Sequence, residues 1–340
     1  MIYDCFSFFN ELDLLEIRLN VLKDVVDRFV LVEAGETHTG KPKPLYYEEN
    51  KARFAAFADR IIHVVADDFS AAEGLPTVRE KAWAVENIQR NAIAKGLVGA
   101  KPDDTIIISD LDEIPKPEAV RQVIGLPGVT RLGMRPSCYY LNYIDYSMHG
   151  GWTLGTQVLS YRAFTDPRTY EGFVFGEYVI ASCNPIPSAT MVRFLKPWRL
   201  LRNSGWHFSY LGGVEAVRRK ISSIAHTEYC NERTLSPEFI EERMRRGEDV
   251  FKRGDRFFAV ELNRDFPRYI IENAARFARF VFPVDAAYLR KTRWPRLYYA
   301  FKGAARSCAV ACVPACLVGP LSRLMQRLNQ KRLENEEPVF

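Results

Sequence analysis

The chain reads as an α/β protein with a mostly parallel central sheet, antiparallel additions to that sheet and a helical C-terminal part. Three observations lead there. Strand-like and helix-like segments alternate through the first 115 residues. The strand runs are predominantly apolar, the mark of strands covered on both faces. After Leu132, aromatic stretches with glycine-rich turns give way to helical patterns.

Taken in order, Ile2 to Phe9 is a short apolar run, Leu12, Leu15, Leu19 and Leu22 recur at helical spacing, and Phe29 to Val32 is a buried-strand run. Thr37 to Pro44 carries one glycine and two prolines and predicts a loop leaving the second strand. Ile61 to Val65 supplies a third strand, and a long helix is expected over Arg79 to Lys95. Pro102-Asp103-Asp104 makes a turn before Thr105 to Ser109, a β-branched run suited to a central strand that ends directly at Asp110. From Leu132 to Cys183 we expect antiparallel strands, with Gly150-Gly151 as one turn. After Ser204 the pattern predicts helices over Val214 to Ala225, Pro237 to Arg253 and Pro267 to Phe280.

Composition is that of an ordinary globular protein: 340 residues, 47% hydrophobic and 26% charged. The net charge of +5 is uneven, with carboxylates frequent early and arginines crowding the stretch after Arg193. Seven cysteines without CxxC or zinc spacing argue against a disulfide framework or a structural zinc site. The N-terminus lacks the pattern of a signal peptide, so the expected location is cytoplasmic, with a peripheral place at the inner membrane face as an extension of that reading. No nucleic-acid partner is expected.

Residues 283–340 form a C-terminal extension to a main unit of 1–282, itself divided into a nucleotide-binding half, 1–115, and an acceptor half, 132–282. Within the extension, 302–327 has an apolar centre of 14 residues, Cys308 to Leu321, broken by Pro314 and flanked by basic residues. It is too short and too interrupted for an ordinary spanning helix. Peripheral membrane contact through an interfacial anchor is one reading, and a helix packed on the domain is the other.

The segment with most chemistry in it is Ile106-Ile107-Ile108-Ser109-Asp110-Leu111-Asp112-Glu113-Ile114-Pro115. A buried strand stopping at two carboxylates sets both at the carboxyl edge of a parallel sheet, where such sheets bind ligands. Hard oxygen ligands there suit Mg²⁺ or Mn²⁺, whose shell is completed by phosphate oxygens and water. A cation so placed could neutralise charge developing on a departing phosphate. An acidic turn facing water is the alternative.

Around that string the chain resembles glycosyltransferase family 17, the family of the bisecting N-acetylglucosaminyltransferases. Asn10 to Arg18 running into Asp24 to Glu33, then Gly40 to Leu45, then Met134-Arg135 and Gly205-Trp206-His207-Phe208-Ser209 follow the family pattern in order, over roughly residues 2–282. The resemblance implies a GT-A fold, a UDP-sugar donor that is UDP-N-acetylglucosamine, and inverting transfer to a sugar hydroxyl of a glycan, glycolipid or polysaccharide precursor. It implies Asp110, Asp112 and His207 as metal ligands, Glu11, Glu33, Arg90 and Asp110 around the donor, and Arg135 and Trp206 toward acceptor or phosphate. Glu228 is the first choice for the general base, with Glu177 and Asp145 behind it. Each has a structural alternative: a helix cap, a salt bridge or a core histidine.

Two other readings compete. A metal-dependent nucleotidyltransferase or phosphodiesterase would also use paired carboxylates, but no phosphate loop or dinucleotide fingerprint is present. A carbohydrate-binding protein without turnover would not need Asp110, Asp112 and His207, all of which are kept.

Overall fold

A computed structural model of the protein describes residues 1–147, 153–251 and 253–311. Its frame is a mixed ten-stranded sheet. The parallel part comes from the first third of the chain: β1 (Ile2–Ser7), β2 (Arg28–Ala34), β3 (Ile61–Ala66) and β4 (Thr105–Asp110), in the spatial order β4-β1-β2-β3. Antiparallel strands extend it from β4 outward through β8 (Thr153–Ser160), β6 (Thr130–Cys138), β7 (Tyr143–Asp145) and β10 (Phe257–Ala259). The expected parallel sheet with antiparallel additions is therefore present.

Strands β1, β2 and β4 are buried on both faces along most of their length, which explains their predominantly apolar sequences, whereas β3 at the sheet edge is only partly covered. Phe6, Leu31 and Ile107 pack on one side against α1 (Leu12–Leu22) through Leu15 and Leu19. Cys5, Val30, Val32, Ile106 and Ile108 face the other side, against Ile93, Leu97 and Phe164. Alternation of period two within an apolar run sends neighbouring residues to opposite cores.

The helix expected over 79–95 is α2 (Val78–Asn91), continued by a 3₁₀ stretch over Ala92–Leu97. Thr77 and Glu80 close a capping box at its start: the Glu80 N–H donates to Thr77 Oγ1 at 3.1 Å and the Thr77 N–H donates to Glu80 Oε2 at 3.2 Å.

Three expectations need correction. Beyond Ser160 the chain does not continue as strands to Cys183 but forms short helical turns over Tyr161–Thr165, Pro167–Tyr170 and Ala181–Cys183, then α3 (Ala189–Phe194). The stretch after Ser204 does not turn helical at once: β9 (Arg199–Ser209), for which no strand was expected, is an eleven-residue strand, parallel to β6 and antiparallel to the short β5 (Glu113–Pro115). The late helices are shorter than their patterns, as α4 (Val214–Ile221) and α5 (Pro237–Arg246) show. Gly247, in the left-handed region at φ 64°, stops α5 where the periodicity alone would run on to Arg253.

The extension begins as α6 (Ala286–Ala311), with Pro295 inside it. Most of the predicted anchor, 302–327, lies outside the described residues, as does the Gly150-Gly151 turn. No helix among the described residues is long and apolar enough to cross a membrane.

Candidate active site

The carboxyl edge of the parallel strands opens on a cleft of about 280 Å³, lined by the ends of β1 and β4, one face of α2, and residues of β9 and α4. Its centre is the turn after β4. Arg18, fully buried on α1, holds that turn from beneath. Its Nη1 donates to the carbonyls of Asp110, Leu111 and Glu113 at 3.0, 3.0 and 2.8 Å, and its Nη2 donates to Ser109 Oγ. The same guanidinium grips Asp4 on β1, Nε to Oδ2 at 2.7 Å. A planar fork with five donors suits this work, since three carbonyls and a carboxylate converge on it.

The two aspartates are held differently. Asp110 lies between two arginines: Arg90 Nη2 is 3.0 Å from Oδ1 and Arg193 Nη2 is 2.9 Å from Oδ2. Burial pushes its carboxyl up, but Arg193 and Arg90 outweigh that and hold it below the usual range. Arg193, on α3, also pairs with Glu113 and donates to the Gly155 carbonyl. Glu113 in turn accepts from the Asp110 N–H at 3.1 Å.

Asp112 faces Lys220 and His207. Lys220 Nζ is 2.8 Å from Oδ2, and His207 Nε2 is 3.5 Å from Oδ1. Burial raises this carboxyl, yet Lys220 and His207 drive it far below the ordinary carboxylate range. In return, Asp112 overcomes the opposing effect of burial and raises both partners. The pairing depends on β5: Glu113 stands opposite His207 in the β5–β9 register, and the Phe208 N–H donates to the Asp112 carbonyl at 2.8 Å. That register carries a histidine 95 positions along the chain to the strand-end carboxylates.

Glu11 reaches Lys220 at 3.4 Å and also lines the cleft. Glu86 borders it as well, 2.8 Å from Arg90 and 3.4 Å from His38 Nδ1. Glu33 is fully buried behind the cleft. It accepts from the Tyr47 N–H at 3.1 Å and lies 3.3 Å from His63 and 3.8 Å from Lys43, and Lys43 is the member of that group that lines the cleft.

Alternation along β9 separates the Gly-Trp-His string. His207 and Ser209 face the cleft, whereas Trp206 points into the opposite core and donates its indole N–H to the Asp265 carbonyl at 2.7 Å. Arg135, opposite Trp206 in the β6–β9 register, lies over Phe266 on that far side. Neither lines the cleft. Glu228 does not line it either: its Oε1 is 2.9 Å from His226 Nδ1 and its Oε2 is 3.7 Å from Arg79, which also pairs with Glu177 and lies over the Tyr178 ring.

A second lobe of about 220 Å³ shares His207, Ser209, Tyr210, Ile224 and His226 with the first. It is walled by Tyr229, Phe251 and Phe257, with Ser137 and Asp145 at its side. Trp83 Nε1 in the first lobe and Ser137 Oγ in the second are buried polar atoms with no partner among the described residues. Unsatisfied buried donors of this kind are costly unless a ligand or water meets them.

The pair of side chains that could hold a divalent cation here is Asp112 with His207. Their facing atoms stand 3.5 Å apart, close to the roughly 3 Å between adjacent ligands of an ion bound at about 2.1 Å. Both oxygens of Asp110 are engaged by arginines, and no group of three His, Cys, Asp or Glu side chains able to hold a metal gathers among the described residues. A cation here would complete its shell from phosphate oxygens and water, the habit of Mg²⁺ beside nucleotides.

Sequence reading missed Arg18, Arg193, Lys220 and His226. Nothing in the spacing of a lone arginine or lysine signals such a role. Arg193 and Lys220 are brought in by short helices whose place depends on tertiary packing.

Residues 1–166 match the model of glycosyltransferase family 17. Among curated proteins, the beta-1,4-mannosyl-glycoprotein 4-beta-N-acetylglucosaminyltransferases of Homo sapiens and Rattus norvegicus are each 33% identical over 117 residues, and that of Mus musculus is 32% identical over the same length. Each alignment takes in 33% of this chain and 21% of the relative, so the similar stretch spans about a fifth of the length of those proteins. Asp110 and Asp112 fall inside the matched 1–166. Arg193, His207, Lys220 and His226 lie beyond it.

Proposed function

We propose, from a family match that ends at residue 166 and a cleft completed by residues beyond it, that this chain is a glycosyltransferase moving N-acetylglucosamine from UDP-N-acetylglucosamine to a sugar hydroxyl. The observation that carries the reading is Asp112 at the sheet's carboxyl edge, fixed between Lys220 and His207 at the centre of the cleft.

Transfer from a nucleotide diphosphate develops negative charge on the leaving phosphate, so a site for it needs positive groups that are already in place. Lys220 supplies one. Asp112 and Glu11 hold its ammonium rigidly, and burial within the cleft walls strengthens its field. Asp112 and His207 would hold Mn²⁺ or Mg²⁺, which when bound supplies Lewis-acid neutralisation of the same charge. Arg90 and Arg193 act behind them, keeping Asp110 ionised and the turn in one shape. The first lobe would take the donor, with Trp83 Nε1 offering a donor hydrogen. The second, walled by aromatic rings, would take the acceptor sugar, whose hydroxyls can accept from and donate to Ser137 and its neighbours.

Thermal unfolding of the purified chain with UDP-N-acetylglucosamine, other UDP-sugars and GDP-mannose, each with Mn²⁺ or chelator, tests this. A ligand at about 100 times its dissociation constant stabilises by about 2.7 kcal/mol. We expect a Mn²⁺-dependent shift with the UDP-sugar that Asp112→Ala abolishes while the variant stays folded. An unchanged Mn²⁺-dependent shift in Asp112→Ala would remove Asp112 from the metal. The absence of a shift with any nucleotide sugar would favour the phosphodiesterase or sugar-binding readings.

A further inference from the structure

His226 occupies the junction of the two lobes and borders both. It follows α4 and immediately precedes a 3₁₀ turn over Thr227–Tyr229. Three rings fix its plane: Trp83 meets it edge-on with centroids 4.8 Å apart, and Tyr178 and Tyr229 each stand at 5.7 Å. Its Nδ1 is 2.9 Å from Glu228 Oε1, and no partner engages Nε2 among the described residues. The charged and titratable groups around it are Glu228 and Tyr229 on its own segment, Arg79 and Glu86 on α2, and Tyr178.

Four of the carboxylates that line the first lobe are poor candidates for removing a proton. Asp110 is gripped by two arginines, Asp112 and Glu11 by Lys220, and Glu86 by Arg90. A carboxylate paired with a fixed cation gives up basicity to that pairing. Glu228 is itself outside the cleft but ideally placed to orient a ring that is inside it.

Resting on the glycosyltransferase reading above, we propose that His226 is the general base of the transfer and that Glu228 is its positioning residue. With Nδ1–H donated to Glu228, the imidazole presents the lone pair of Nε2 to the junction. The acceptor hydroxyl gives its proton to Nε2 as its oxygen bonds to the anomeric carbon. The bond from that carbon to the diphosphate oxygen breaks, and its electron pair leaves with UDP. The imidazolium, neutralised by the Glu228 carboxylate, returns its proton to water after product leaves. Burial raises the Glu228 carboxyl, but the His226 hydrogen bond and Arg79 outweigh it and keep the group ionised, as this role needs.

The test uses the full chain, with UDP binding followed by calorimetry and UDP release from UDP-N-acetylglucosamine followed from pH 5 to 9, in water and with simple saccharides added. His226→Gln should keep UDP affinity within about threefold and lose roughly 100-fold or more of the release rate, the range of a missing general base. Glu228→Gln should bind UDP normally and lose about tenfold, and the acid limb of its profile should move to lower pH because the amide no longer favours the imidazolium. Release at the wild-type rate in His226→Gln, or a profile in Glu228→Gln that falls in rate without moving, overturns the proposal. So does loss of UDP affinity in His226→Gln equal to its loss of rate, or a wild-type chain that binds UDP and releases none from the donor. A wild-type chain that does not bind UDP overturns the donor reading itself, and this proposal with it.

Discussion

Arg18 is fully buried, and every one of its partners lies on an element that shapes the cleft: Asp4 on β1, Ser109 on β4, and the carbonyls of Asp110, Leu111 and Glu113 in the turn. Removing it strands the buried Asp4 carboxylate and three turn carbonyls at once. Loss of one partner from a buried pair costs about 3–5 kcal/mol, so Arg18→Met should lower unfolding free energy in urea by at least about 3 kcal/mol. A loss below about 1 kcal/mol would mean that the turn is held by other means. The aspartates were legible from sequence because an apolar strand stopping at Asp-x-Asp is a local pattern. Arg18 was not, because an arginine at the helix position facing the core looks, in one dimension, like any other charge on an amphipathic surface. His207 was legible only as part of the Gly-Trp-His string, and that string could not say that Trp206 turns the other way.

At the scale of elements, the site exists because β5 and β9 pair. This contact puts His207 beside Asp112, and Gly205 lets it form. A Cβ on Gly205 would fall onto Met134 Sδ of the neighbouring β6 and, at the β5–β9 crossing, onto the Ile114 carbonyl and within 2.8 Å of Pro115 Cα. Backbone cannot retreat there without parting the strands. Overpacking of this kind costs about 1–3 kcal/mol. Gly205→Ala should therefore lose stability in that range and, because His207 moves with β9, should also weaken UDP-sugar binding. Gly35→Ala, where an added Cβ meets nothing within 4 Å, serves as the neutral comparison. Equal stabilities of the two variants would contradict the packing argument. Strand β9 was invisible in the sequence for a related reason: residues 199–205 are largely exposed and polar, so neither period stands out until β5 and β6 are there to pair with them. Strands β1, β2 and β4 were legible because burial on both faces leaves mostly apolar runs, and β3, partly covered at the sheet edge, because Ile61 to Val65 is interrupted only by His63.

For the molecule as a whole, the cleft joins the parallel sheet to its antiparallel extension, and the second lobe carries a titratable group that couples this junction to pH. Asp145, on β7, is 3% exposed. It accepts from the Ser147 N–H at 2.8 Å and from Ser147 Oγ at 2.6 Å. Burial, with Asp255 nearby, pushes its carboxyl up to about 7, against the opposing effect of the Ser147 hydrogen bonds. An unfolded aspartate titrates near 4. The protonated form is thus favoured by folding, and its contribution to stability is complete below about pH 4 and is lost as pH rises through 7. Between pH 5 and 8 that loss is on the order of 2 kcal/mol, from about 1.4 kcal/mol per pH unit over the part of the interval in which only the unfolded state is ionised. Asp145→Asn keeps an oxygen for Ser147 and removes the titration. Urea unfolding at pH 5 and pH 8 should show the wild-type chain losing about 2 kcal/mol more than the variant across that interval, with the variant the more stable of the two at pH 8. Parallel losses in the two proteins would show that Asp145 is ionised in the folded chain at pH 5. The second lobe would then present a carboxylate to its ligand throughout the working pH range.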